Sequence, residues 1–137
     1  MLRYCVDQWE KNKEKLRKVF ETCDIWSDYE DFARLVIENI FPEWENYKLN
    51  VAYQGDYTGD VIFFINADSS DCGTKIDIFL SYLRYGFCSV CDTLQRAAES
   101  EERVEDFMRV ALHFIQNMIH PFIGPYECGL HKYDQPM

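Results

Sequence analysis

The spacing of apolar positions changes twice along the chain. Between residues 5 and 20, Cys5, Val6, Trp9, Leu16, Val19 and Phe20 fall near one face at helical period, around the polar run "EKNKEK". This predicts a helix with a solvated middle, where Glu14 and Lys18 stand i,i+4 apart and within pairing reach. In "SDYEDFARLVIENIFP", Phe32, Leu35, Val36 and Ile40 keep the same period. Ser27 and Glu30 have the S-x-x-E spacing of a capping box. Pro42 is the stop, because a proline disfavours helical backbone in the residue before it.

The period then shortens to two. Leu49, Val51 and Tyr53 alternate with polar or small residues, "VIFFIN" has strand composition, and Ile76, Ile78, Leu80 and Tyr82 alternate through "KIDIFLSYLRYG". The turn sequences "QGDYTGD" and "ADSSDCGT" separate these runs, which predicts three strands in an antiparallel meander. Helical spacing returns in "DTLQRAAE" and in a longer segment after Ser100, a candidate cap. Glu101, Glu102, Glu105 and Asp106 have the sign favoured at a helix start. The stripe behind them runs Val104, Phe107, Met108, Ala111, Leu112, Ile115, Met118 and Ile119, and His120-Pro121 closes it. The expected order is α-α-β-β-β-α-α, an α+β fold in which a three-stranded antiparallel meander packs against about four helices on one face. Residues 1–137 read as a single compact domain, with residues 121–137 as a loop-like C-terminal tail.

Composition supports a filled core: the chain is 47% hydrophobic and 16% aromatic, which argues against disorder. The opening "MLRYCVDQWEKNKEKLRK" places charges where a secretory signal needs an apolar run. No apolar stretch approaches the roughly 18 residues that cross a bilayer. A cytoplasmic location is expected, and the six cysteines then read as thiols.

Charge sharpens the picture. The net charge is -10, but residues 1–20 carry +3 while residues 21–60 hold ten acidic and two basic side chains. A nucleic-acid binder needs a basic footprint, so direct binding of nucleic acid is disfavoured and docking onto a basic protein is favoured. The candidate contact residues are Asp24, Asp28, Glu30, Asp31, Glu38, Glu43 and Glu45, with Asp56, Tyr57 and Asp60 in the turn. Trp44, Tyr47 and Tyr53 are further aromatic anchors, Trp44 having the alternative of packing behind Pro42.

The stretch "RYGFCSVCDTLQ" admits three chemistries. Cys88 and Cys91 near a predicted helix start suit a redox pair, but antiparallel strands precede them where a thioredoxin-like site needs a βαβ unit, and Asp92 opposes a thiolate. Together with Cys128 and His131 they make a Cys3His set for a structural zinc, with Asp92 and Cys72 as substitutes. The third reading is a tight strand-to-helix connection, in which Gly86 supplies the bend, Ser89 caps the helix and the cysteines pack as small apolar residues. No nucleophile elbow, Walker loop or dinucleotide fingerprint occurs, His113 lies off the apolar stripe, and no catalytic residue is assigned.

The run Tyr85-Gly86-x-Cys88-Ser89-x-Cys91-Asp92-x-Leu94-Gln95 resembles a signature of small uncharacterised bacteriophage and prophage proteins. The resemblance extends over residues 49–119, through the "GDYTG" turn and the acidic helix "SEERVEDFMRVALHFIQNM", and departs from the pattern at Val90, where glycine is usual. It implies a bacterial cytosol and a part in the contest between phage and host, with no catalytic residues to carry over. Joined to the charge asymmetry, it leads to the expectation of an acidic inhibitor, anti-CRISPR-like, that docks on the basic groove of a host nuclease or other nucleic-acid enzyme. The alternatives are a zinc-stabilised adaptor and a thiol-redox protein.

Overall fold

A computed structural model of the chain describes residues 2–23, 28–56, 58–68, 76–86 and 92–122. The elements are α1 (Arg3–Thr22), α2 (Tyr29–Ile40), β1 (Lys48–Gly55), β2 (Gly59–Asp68), β3 (Ile76–Tyr85), α3 (Thr93–Ala98), α4 (Arg103–Gln116) and β4 (Ile119–Phe122). The α+β class is as expected, but the sheet has four strands in the order β1-β2-β3-β4, every neighbouring pair antiparallel.

The fourth strand corrects the expected end of the last helix. The apolar stripe was carried through Ile119, yet α4 stops at Gln116 and Ile119 pairs with Leu80 of β3. Pro121 suits the strand better than a helix. Proline cannot donate into a helical ladder, whereas an edge strand tolerates it on its outward side. Residues 121 and 122 therefore belong to the sheet rather than to a loop-like tail.

Local caps differ from those expected. Asp28 is the cap of α2, accepting from the Asp31 N–H at 3.1 Å. Asp92 caps α3, accepting from the Gln95 N–H at 2.8 Å. Ser27 and Ser89 lie outside the described residues. Ser100 accepts from the Glu102 N–H, three residues before α4 begins. Glu14 pairs with Arg17, one turn away at 3.2 Å, rather than with Lys18.

Among the described residues the helices pack on the side of the sheet that carries Phe63 and Phe79, and two aromatic groups help tie them together and to the strands. Phe20, Phe32 and Phe107 meet where α1, α2 and α4 converge, with ring centroids 5.2–6.0 Å apart. Phe41, Trp44, Phe79 and His120 form a second stack running from the end of α2 onto β3 and β4. Phe63 of β2 meets Phe114 of α4 edge-on at 4.9 Å. Arg103, at the start of α4, donates to the Phe20 and Cys23 carbonyls that α1 leaves open at its end.

The alternation in β3 is as expected, and burial distinguishes its two faces. Ile78, Leu80 and Tyr82 do share a face, but Phe79, Ser81 and Leu83 face the helices.

The turn between β1 and β2 depends on its glycines. Gly55 has φ +116°, and a Cβ there would lie 2.4 Å from the Thr58 carbonyl oxygen. A Cβ on Gly59 would lie 1.8 Å from the Gln54 carbonyl oxygen. Gly55→Ala and Gly59→Ala are each expected to lower stability by more than about 1 kcal/mol, read as a fall in the denaturation midpoint; unchanged midpoints would contradict this turn geometry.

Candidate functional site

The acidic residues that sequence singled out are carried by α2 and its flanks. Helical spacing turns Phe32, Ala33, Val36, Ile37 and Ile40 into the core, which leaves Glu30, Asp31 and Glu38 outside. From residue 28 to 45 there are six acidic side chains and one basic, Arg34, and all six acids are exposed. Several are held in place. Tyr47 donates to Glu38 at 2.6 Å, Tyr4 donates to Glu43, and Arg34 pairs with Glu30 at 3.6 Å.

The charges crowd one another at the start of α2. The Asp31 carboxyl is raised above its ordinary value chiefly by the charge of Asp28, with Glu30 adding to it. The Tyr53 phenol, on the neighbouring β1, is raised by partial burial and then by Asp28, Asp92 and Glu30. Tyr47 is pushed up to about 12 by burial and by its bond to Glu38, and Arg34 pulls the other way. The Tyr85 hydroxyl donates to the Gly55 carbonyl at 2.9 Å and its ring meets Tyr53 edge-on, so the β1–β2 turn with Asp56 sits beside the same end of the molecule. Asp60 does not join this group. It lies on the sheet face away from the helices, opposite Arg84 in register.

Beneath the acidic end lies a buried polar junction that sequence reading missed. Tyr29, the first residue of α2, has its hydroxyl 2.8 Å from the Arg84 carbonyl of β3 and 2.8 Å from Asp92 Oδ1, and accepts from the Leu94 N–H at 3.3 Å. Asp92 is only 5% exposed and spends its carboxylate on Tyr29, the Gln95 N–H and the Gly86 N–H. Burial and the Asp92 contact push the Tyr29 phenol well above its ordinary value. Sequence reading took Asp92 as an opponent of a thiolate or a substitute metal ligand. The Asp92-x-x-Gln95 spacing was the available signal for a helix cap.

Of the aromatic anchors, Trp44 is corrected: it is 2% exposed and stacks on Phe41 at 4.1 Å, the packing alternative. Tyr53 is exposed at 56% and Tyr47 is partly buried. Asp24, Tyr57, Cys72, Cys88, Cys91, Cys128 and His131 lie outside the described residues, and with them the zinc and redox readings. Among the described residues, no three His, Cys, Asp or Glu side chains gather where a metal ion could sit. No helix among them is long and apolar enough to cross a membrane.

A second surface was not anticipated. The sheet face opposite the helices presents Ile62, Phe64, Ile78, Leu80, Tyr82 and Ile119, with Tyr82 48% and Ile119 53% exposed.

Two outcomes test the geometry of this end. Tyr29→Phe is expected to cost about 2–3 kcal/mol of unfolding free energy, because it strips a buried carboxylate, a carbonyl and an N–H of a shared partner; a loss below about 0.5 kcal/mol would show the junction to be unimportant. For Asp31, a raised carboxyl means that the fold holds its proton more tightly than the unfolded chain does. Its contribution to stability is thus present below the unfolded value and declines as pH rises through the folded one. Asp28→Asn keeps a competent cap and removes the charge, so an NMR titration should find the Asp31 carboxyl shifted down toward its ordinary value.

No family model, no curated protein and no solved structure matches the chain.

Proposed function

We propose that this is a binding protein that docks through its acidic α2 end onto a basic, nucleic-acid-binding surface of another protein, its carboxylates standing where phosphates would lie. One observation carries the reading: six exposed carboxylates against a single guanidinium between residues 28 and 45, on a helix anchored through its buried face. An exposed cluster of one sign steers a partner of the other sign and raises the association rate. The rigid setting adds to this. Asp31 and Glu38 lie two turns apart on a helix, about 10 Å along its axis, so their separation is fixed before binding.

The partner is a nuclease or another nucleic-acid enzyme, whose groove already carries the required positive field. The resemblance to phage proteins points to an enzyme of a host defence, as for an anti-CRISPR inhibitor in the bacterial cytoplasm. Asp28, Glu30, Asp31 and Glu38 form the centre of the contact, with Glu43, Glu45 and Asp56 at its edge.

The test is capture of a nucleic-acid enzyme from bacterial lysate by the tagged full chain, followed by binding of the purified pair. Binding is expected to weaken as salt rises, to be competed by a short DNA duplex, and to fall more than about tenfold when Glu30, Asp31 and Glu38 are all replaced by Lys. Binding that ignores salt, duplex DNA and the charge reversal would overturn the reading.

A further inference from the structure

The open face of the sheet has its own logic. In β2 and β3 the register places Asp60 beside Arg84, Ile62 beside Tyr82 and Phe64 beside Leu80, all on the side away from the helices. β4 adds Ile119 next to Leu80. A depression of about 490 Å³ opens on this face between Ile62, Leu80, Tyr82 and Ile119, rimmed by Asp60 and Arg84. Apolar side chains gathered in this way on a sheet mark a surface that is covered in the working protein.

We infer that the occupant is a second copy of this chain, seated sheet against sheet across a two-fold axis that runs parallel to the strands between β2 and β3. Such an axis exchanges β2 with β3. Every cross-strand pair within one copy then becomes a facing pair between copies. Asp60 faces Arg84 of the second copy, Arg84 faces its Asp60, Ile62 faces Tyr82, and Phe64 faces Leu80. An isologous contact must be complementary to itself, and this arrangement of one acid, one base and an apolar centre meets that condition. Aligned sheets pack about 10 Å apart, a gap that side chains of this size fill.

The charge distribution permits the association. The carboxylates of α2 sit on the helical layer, which covers the other side of the sheet. In the sandwich these layers face outward, so the acids of α2 in the two copies are separated by both sheets, and the charges of β2 and β3 that meet among the described side chains, Asp60 and Arg84, are of opposite sign.

Sedimentation of the full-length chain across the micromolar range tests this, with Asp60→Arg and Arg84→Asp variants. Wild type is expected to sediment as a dimer. Each single variant sets like charges face to face and should weaken the dimer by more than about tenfold, and mixing the two variants should restore it. Circular dichroism of each variant confirms that the fold is intact. A photo-crosslinking residue at Tyr82 reads the occupant directly, and a covalent dimer of the chain supports the inference. Crosslinking within one chain to residues 123–137, crosslinking to a different protein, a wild-type monomer, or a dimer indifferent to both substitutions would each overturn it.

Discussion

A single hydroxyl proton, on Tyr29, lies between two acceptors at the same distance: the Arg84 carbonyl and the Asp92 carboxylate, each 2.8 Å away. The oxygen also accepts the Leu94 N–H. Three elements meet at this one atom: the first residue of α2, the last turn-ward part of β3 and the opening of α3. A buried carboxylate is costly unless its oxygens are used, and here two backbone N–H groups and the phenol use them. The consequence reaches outward. Tyr29 fixes where α2 begins, and therefore fixes where Asp28, Glu30 and Asp31 stand on the surface.

The edge of the sheet follows from the same economy of polar groups. β4 is short and covers β3 only as far as Leu80, which leaves later β3 carbonyls at an edge. The Asn117 amide takes the Tyr82 carbonyl at 2.9 Å, and Tyr29 takes that of Arg84. Side chains thus replace a strand, and the edge is closed to pairing with another chain. Besides the β1 edge, the flat side of the sheet and the outer side of the helices are open to contact. The two surfaces point in opposite directions and differ in character, one apolar with a single pair of opposite charges, the other dense with carboxylates.

Much of this was legible in the sequence. Period alone placed α1, α2 and the three long strands, because long segments with one dry and one wet side leave a clear signal. The glycines of "QGDYTGD" marked the turn that Gly55 makes with positive φ. Two points were not legible, for a shared cause. β4 was read as the end of a helix because Met118 and Ile119 continue the helical stripe, and four residues of strand are too few to show a period of their own. Which face of β3 meets the helices was left open, because Ile78, Phe79 and Leu80 are apolar in succession, as are Ile62, Phe63, Phe64 and Ile65 in β2. A run apolar at both parities states that both sides of the sheet are dry, not which one the helices occupy. The Tyr29–Asp92 junction was harder still, since its partners are 63 residues apart.

That doubly apolar pattern is also what separates this sheet from one that merely floors a helical layer. A sheet covered on one side needs apolar residues at alternate positions only, and β1 follows that rule, with Lys48, Asn50 and Gln54 on its open side. The central strands do not. Placing Ile62, Phe64, Leu80 and Tyr82 in water is unfavourable by the same hydrophobic term that folds the chain, at about 25 cal/mol for each Å² left wet. The helical layer could not relieve this cost, because Phe63, Phe79 and Phe114 already fill the space beneath it. The apolar centre of the open face, Ile62, Phe64, Leu80 and Tyr82, therefore stays without cover from the described elements, with the single Asp60–Arg84 pair at its end. The exposed carboxylates of α2 stay on the outer side of the helical layer, away from this face.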